Sequence, residues 1–380
     1  MSSLSDIPTP CLVIDRQAMD ANIARMDAHI ECLGVNLRPH VKTNKSIEVS
    51  RWLTAAHSGA VTVSTLAEAR AFLDGGFSDI LYAVGITVPK LAEVADIRQQ
   101  GAALKIIMDD PAVARQVTDW AKDQDITLEC LVEVDVDGHR AGLEPNDPAL
   151  VDCARILNDA EHTNFLGLMT HAGASYDCQG GEELRAMAQQ EHDRMMAAVG
   201  ALSKAGIDCE IVSIGSTPTA LFAEDATGIT EIRAGIYVFG DLVQAGLGTC
   251  QISDIALSCL TSIVGHKPKQ NRLLVDAGGL ALSKDLGRAP GGPDYGYGLV
   301  VDIETRTPLA GLYVAGVNQE HGMITTIDGS TIDFDQFPIG SRLAVLPNHA
   351  CMMAAAHAHY HVVDGKNLEV VGVWPRVNYW

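Results

Sequence analysis

The chain is poor in aromatic residues, which fill 5% of its 380 positions, and poor in positive charge, with 27 Lys and Arg against 48 Asp and Glu. The resulting formal net charge of -21 repels phosphate backbones and anionic lipid. So few aromatic rings give little surface on which nucleotide bases could stack. Neither nucleic acid nor membrane is therefore expected as a partner. No apolar run approaches the roughly 18 residues of a membrane span, and the opening MSSLSDIPTP lacks the basic and apolar segments of a secretion signal. The expected location is cytoplasmic. The nine cysteines (11, 32, 130, 153, 178, 209, 250, 259 and 351) are odd in number and contain no C-x-x-C. They read as free thiols, mostly small buried hydrophobes, and not as a disulfide framework.

What is present is globular. A chain with 47% hydrophobic and 20% charged residues can bury a large core. Runs rich in Val, Ile and Leu alternate with amphipathic stretches, and strands are expected at 11–15, 37–42, 60–64, 79–84, 103–108, 128–136, 165–171, 210–216 and 231–239. Thr65–Gly75 and Gly180–Ala205 carry apolar residues at helical spacing. Leaving aside the first, eight strands alternate with helices, the count of a (β/α)8 TIM-type barrel. Beyond about residue 245 helical periodicity nearly disappears, and strand-like runs at 254–265, 272–276, 298–302, 311–317, 341–346, 359–363 and 368–373 predict a mostly antiparallel β domain. The expected organisation is an α/β barrel over 16–245, with 1–15 and 246–380 forming the β domain.

Three short motifs carry chemistry. Arg38-Pro39-His40-Val41-Lys42-Thr43 lies at the C-terminal end of the first barrel strand, where barrel active sites sit. Burial there would turn Lys42 into a nucleophilic amine able to form a Schiff base; Lys45 is the competing amine, and a solvent-exposed rim lysine is the plain alternative. Ser213–Thr219 follows the seventh barrel strand, and its Gly215, Ser216 and Thr217 offer N–H and hydroxyl groups to a phosphate, with Gly235 and Ile236 after the eighth strand completing the cradle. An ordinary tight turn explains either stretch as well. Pro347-Asn348-His349-Ala350-Cys351, if extended, points an imidazole and a thiol to one side. That pair suits zinc and leaves coordination positions open, although a buried Cys beside a surface His has the same spacing. Arg140, Arg233 and His171 would face the barrel mouth, or else make ordinary structural contacts. His40, Tyr295 or Tyr297 in the Gly-rich loop 287–298, and Gln319 and His321 in QEHG are softer candidates for substrate contacts.

Taken in order, RPHVKT, THAG, GSTPT, RAGIYVF, DYGYG, QEHG and PNHAC resemble the D-threonine aldolase and D-serine dehydratase group, built on the alanine-racemase-type fold III of pyridoxal-phosphate enzymes. The resemblance spans roughly 8 to 380. It implies pyridoxal 5'-phosphate on Lys42, its phosphate at Gly215, Ser216 and Thr217 with help from Gly235 and Ile236, Arg140 near its phenolic oxygen, Arg233 facing the ring nitrogen, and His171 and Tyr176 lining the pocket. His349 and Cys351 match a divalent-metal pair, zinc being favoured over manganese or magnesium. The implied reaction is dehydration of a D-3-hydroxy amino acid such as D-serine or D-threo-3-hydroxyaspartate, with D-threonine aldol cleavage as the alternative. Racemisation, or a non-catalytic pyridoxal-phosphate carrier, stands further off: Lys42 is followed by Thr43-Asn44-Lys45 rather than by the racemase pattern, and the β domain and metal pair are extra. Asn44 departs from the histidine common in the group. The group also implies a homodimer.

Overall fold

The computed structural model describes residues 3–365 and 367–380. The chain divides into two compact units, Met26–Gly235 with Tyr379–Trp380, and Met1–Arg25 with Ile236–Asn378. Its first strand, β1 (Cys11–Asp15), belongs to the latter.

The first unit is a parallel barrel. Its strands are β2 (Asn36–Leu37), β3 (Val61–Val63), β4 (Asp79–Gly85), β5 (Ala103–Met108), β6 (Leu128–Val134), β7 (Thr163–Thr170), β8 (Ile211–Ile214) and β9 (Glu231–Ile232), in the order β2-β9-β8-β7-β6-β5-β4-β3. The ring closes between the ends of that order. Thr62 N–H donates to Pro39 O at 2.8 Å and Val41 N–H to Thr62 O at 2.9 Å. The strand expected over 37–42 is therefore shorter than its hydrophobic pattern suggests. Toward β9 the pairing continues past β2, with Arg38 N–H donating to Ile232 O and His40 N–H to Ala234 O, whereas Pro39, which faces β3, has no N–H to donate there. The chain then turns over 41–44, which puts Lys42 in a turn rather than on a strand end. The run expected over 231–239 likewise ends at Ile232, and Ile236–Val238 forms a 3-10 turn. Helices between the strands start on strong signals. Asp110 and Asp147 cap helices Pro111–Gln124 and Pro148–Asp159, accepting from Ala112 N–H and Ala149 N–H, with proline in the first turn. Helix Gly180–Lys204 ends one residue short of its expected span.

In the second unit, β10 (Leu257–Lys267), β11 (Arg272–Val275), β12 (Leu299–Val301), β13 (Pro308–Val317), β14 (Gly322–Thr326), β15 (Arg342–Leu346), β16 (His359–Val363) and β17 (Gly372–Pro375) join β1 in the order β11-β14-β13-β12-β15-β10-β1-β16-β17. An added β10–β11 pairing closes six of them into a barrel. All ladders are antiparallel except β1–β16. β14 was not expected: its GMITT sequence is short and half polar, and only its pairing with both β11 and β13 makes it a strand. No helix among the described residues is long and apolar enough to cross a membrane.

Candidate active site

Lys42 is partly buried in the turn after the first barrel strand, between buried Val41 and Thr43. Its N–H lies 3.4 Å from Nδ1 of His40, whose Nε2 meets Ser64 Oγ at 3.4 Å. The competing amine is committed elsewhere. Lys45 takes a left-handed φ of 45°, and its Nζ pairs at 2.8 Å with Glu68, a carboxylate with no exposed surface. Asn44 is buried and turned to the following helix, accepting from Ser46 N–H and Ser50 Oγ. Arg38, two residues before His40, is ion-paired with Glu231 and Asp79.

The barrel brings several other expected residues together around the ends of β7, β8 and β9. His171, just past β7, meets Gly215 O through Nδ1 at 3.1 Å, and its ring centroid lies 6.5 Å from that of Tyr176. Ser216 caps the short helix Thr217–Phe222, its Oγ accepting from Thr219 N–H and lying 2.9 Å from Ser175 Oγ. Gly215 has φ +119°, and a Cβ there would come within 2.5 Å of Arg233 O. A Cβ at Gly235 would come within 2.6 Å of His40 O. Only glycine lets the backbone run this close. Arg233 is buried and donates to Ser213 Oγ and Thr170 O. Arg140 is the outlier, 55% exposed and 3.8 Å from Glu133. Ile236 is buried in the 3-10 turn that follows Gly235.

One organising residue has no motif around it. Glu191, on helix Gly180–Lys204, is 1% exposed, and its Oε1 accepts from both Gly215 N–H at 2.9 Å and Ala172 N–H at 3.2 Å. It ties the loop after β7 to the turn after β8. The helix-wheel position reads as core, so the sequence alone carried no signal beyond a charged residue on a buried face. Burial pushes its carboxyl pKa up, against the opposing pull of Thr219, Gly215 and Arg233.

The field around Lys42 is positive. Burial, and then Lys42, Arg233 and His171, hold His40 well below the usual histidine range. Burial, Lys42, Arg140 and Arg233 push His171 down to about 3, against the bond to Gly215. Both imidazoles are neutral at pH 7.

In the second unit, His349 ends the run after β15 in an extended conformation and caps helix Ala350–Ala354. The condition of an extended segment is met only as far as His349: Cys351 lies inside that short helix, where Ala350 N–H is captured by Asp241 Oδ2 at 3.0 Å and Met353 N–H by His349 O. The two side chains still meet, for His349 hydrogen-bonds Cys351. His349 Nδ1 also contacts Asp285 Oδ2 at 3.0 Å. Burial alone would lower the imidazole, but Cys351, Asp241 and Asp285 raise it to about 9. Asp241 has no exposed surface, and burial pushes it up to about 6. Tyr295 packs on the apolar cluster of Leu242, Ile255 and Leu299. Gln319 and His321 are exposed in the β13–β14 turn, where Asn318 N–H donates to His321 O.

Two family models match the chain: alanine racemase, N-terminal domain, over residues 14–243, and putative serine dehydratase domain over 256–363. The chain belongs to the alanine-racemase-like family. Within it, the chain is 41% identical to D-threo-3-hydroxyaspartate dehydratase from Delftia sp. (strain HT23), covering 100% of this chain and 99% of that protein. It is 30% identical to D-serine dehydratase of Dictyostelium discoideum over 99% and 98% of the two chains. The solved Delftia dehydratase superposes with TM-score 0.97 at 40% identity over 100% of both chains. A cysteine-to-alanine variant of it, described as the metal-free form, gives 0.96 at 40% identity, again over 100% of both.

The residues of this family member fit an anionic pyridoxal phosphate. Gly215 and Gly235 let the turns after β8 and β9 run close against neighbouring backbone where a Cβ would clash, and Lys42, Arg233 and Arg140 supply positive charge beside those turns. They also fit a cation at His349 and Cys351, where one nitrogen and one sulfur sit among the negative charges of Asp241 and Asp285. Among the described residues no group of three or more His, Cys, Asp or Glu forms a metal cage.

The lowered pKa of His171 has a consequence for stability. Below pH 6.5 the unfolded chain takes a proton that the native ring refuses, so this stability is complete above 6.5 and is lost as pH falls toward about 3. Between pH 6.5 and about 5 the loss is about 2 kcal/mol. His171→Phe should flatten this decline in urea unfolding of the cofactor-free protein. An unchanged slope would show that the ring is protonated in the native state.

Proposed function

We propose that the chain is a pyridoxal-phosphate- and divalent-metal-dependent dehydratase that converts D-3-hydroxy amino acids, such as D-serine or D-threo-3-hydroxyaspartate, into 2-oxo acids and ammonia. The observation that carries the reading is the end-to-end likeness, at 41% identity, to D-threo-3-hydroxyaspartate dehydratase. Lys42 would hold the cofactor through its amine. Gly215, Ser216 and Thr217, with Gly235 and Ile236, would hold its phosphate; Arg140 its phenolic oxygen; Arg233 its ring nitrogen; His171 and Tyr176 its faces. His349 and Cys351 would hold the metal, zinc ahead of manganese or magnesium because a thiolate favours it. His40, Tyr295, Gln319 and His321 are the candidate substrate contacts.

When bound, the cofactor supplies an electron sink at Cα and the metal a Lewis acid for the β-hydroxyl. The chain's own residues position substrate and move the proton. Lys42 takes the α-proton, while His40 and His171, held neutral, contribute hydrogen bonds without competing as acids. His349 and Cys351 fix the cation's place. For D-serine, one Cα–H and one Cβ–O bond break, the water lost is regained on hydrolysis, and the products are pyruvate and ammonia, with no oxidant required.

Incubating the holoenzyme with D-serine, D-threonine and D-threo-3-hydroxyaspartate tests the proposal. A 2-oxo acid with ammonia is expected. Glycine with an aldehyde would mean aldol cleavage instead, and neither product would mean a non-catalytic carrier. The same reading includes a homodimer, which sedimentation of the holoenzyme measures.

A further inference from the structure

The Gly-rich loop is anchored at both ends by the motif that carries the metal pair. Asn348 is 6% exposed, and its Nδ2 donates to Asp285 O at 3.1 Å and to Gly296 O at 2.7 Å. Asp285 is held in turn, its N–H donating to Ser283 Oγ at 3.0 Å and its Oδ1 accepting from Gly287 N–H at 2.8 Å. This leaves Oδ2 of the same carboxylate, which lies 3.0 Å from Nδ1 of His349. Each carboxylate oxygen therefore has a separate task, one for the loop and one for the imidazole.

From this geometry we infer that Asp285 is the positioning residue for His349. Its carboxylate fixes the imidazole tautomer with the proton on Nδ1, so that the lone pair of Nε2 is presented to a divalent cation shared with Cys351. The inference rests on the metal-pair reading above and adds a residue to it. A ligating histidine whose other nitrogen donates to a carboxylate is locked in orientation and made more basic, and losing such a partner typically weakens metal binding 10–100-fold. Here the carboxylate comes from a loop 64 residues away in the chain. Asn348 keeps it there.

The two roles of the carboxylate can be separated by one substitution. In Asp285→Asn the remaining oxygen can still accept from Gly287 N–H, which keeps the loop. The amide NH2 then faces Nδ1, selects the opposite tautomer and puts the ring proton on Nε2, where the metal should bind. Zinc affinity of the full-length protein carrying its cofactor, measured by competition with a colorimetric chelator, should fall 10–100-fold in Asp285→Asn and at least as far in Asp285→Ala. Visible absorbance of the bound cofactor and the thermal midpoint of Asp285→Asn should stay at parental values. His349→Ala and Cys351→Ala provide the reference for loss of a direct ligand. If Asp285→Asn binds zinc within twofold of the parent while His349→Ala and Cys351→Ala lose it, Asp285 serves the loop alone: the inference falls and the metal pair stands. If His349→Ala and Cys351→Ala also bind zinc as the parent does, the metal-pair reading fails and takes the inference with it.

Discussion

Lys42→Ala is expected to eliminate turnover, by roughly 10³–10⁴-fold or more, because in the proposed chemistry this one amine is both the covalent anchor of the cofactor and the proton-transfer group. Added pyridoxal phosphate should then give no enzyme-bound visible band, and borohydride reduction of the parent holoenzyme should label only the peptide that contains Lys42. The neighbouring amine makes the control decisive. Lys45 has a left-handed backbone, and its amine is engaged by the fully buried Glu68. Lys45→Met should therefore keep the chromophore, although it leaves a buried carboxylate without its cation and is expected to lower the melting temperature. A label on the Lys45 peptide, or a chromophore that survives Lys42→Ala, would remove the basis of the proposed chemistry.

The second large effect belongs to the nitrogen–sulfur pair. His349→Ala and Cys351→Ala should each lower kcat by more than 100-fold, since Lewis-acid activation of a hydroxide leaving group is worth several kcal/mol. The cofactor band should persist in both. EDTA should reproduce the effect in the parent protein and added zinc should reverse it. Cys351→Asp is the informative intermediate: it keeps an anionic ligand but replaces a soft donor with a hard one, so zinc affinity should drop while manganese or magnesium support improves relative to zinc. Full activity in the metal-stripped parent would exclude the pair from the reaction.

The barrel was legible because each of its strands is a short Val/Ile/Leu run between amphipathic stretches with strong caps such as Asp110-Pro111 and Asp147-Pro148. Errors in the barrel occur at strand ends. Pro39 leaves the first strand without a donor toward β3 and the chain turns at 41–44, while Ala234-Gly235 takes the chain out of the last strand, so the ends of two runs that read as extended become turns. β14 was illegible for the opposite reason: GMITT has little hydrophobic signal, and a strand gains its identity from partners on both sides. Whether PNHAC is extended is left open by its sequence, because nothing local reveals that Asp241, more than a hundred residues earlier, captures Ala350 N–H where a short helix starts.

What the sequence determined by itself is the alternation that builds the barrel, the change to antiparallel strands after it, and an inventory of reactive groups in short motifs. Those follow from local periodicity and residue chemistry, which need no distant partner. Tertiary structure alone decided which groups are held and by what: Glu191 beneath the turn at Gly215, Glu68 against Lys45, Asp285 against His349, and the neutral state of His40 and His171. Each depends on burial and on a charge brought near from another part of the chain, and neither quantity is encoded in any short window of residues.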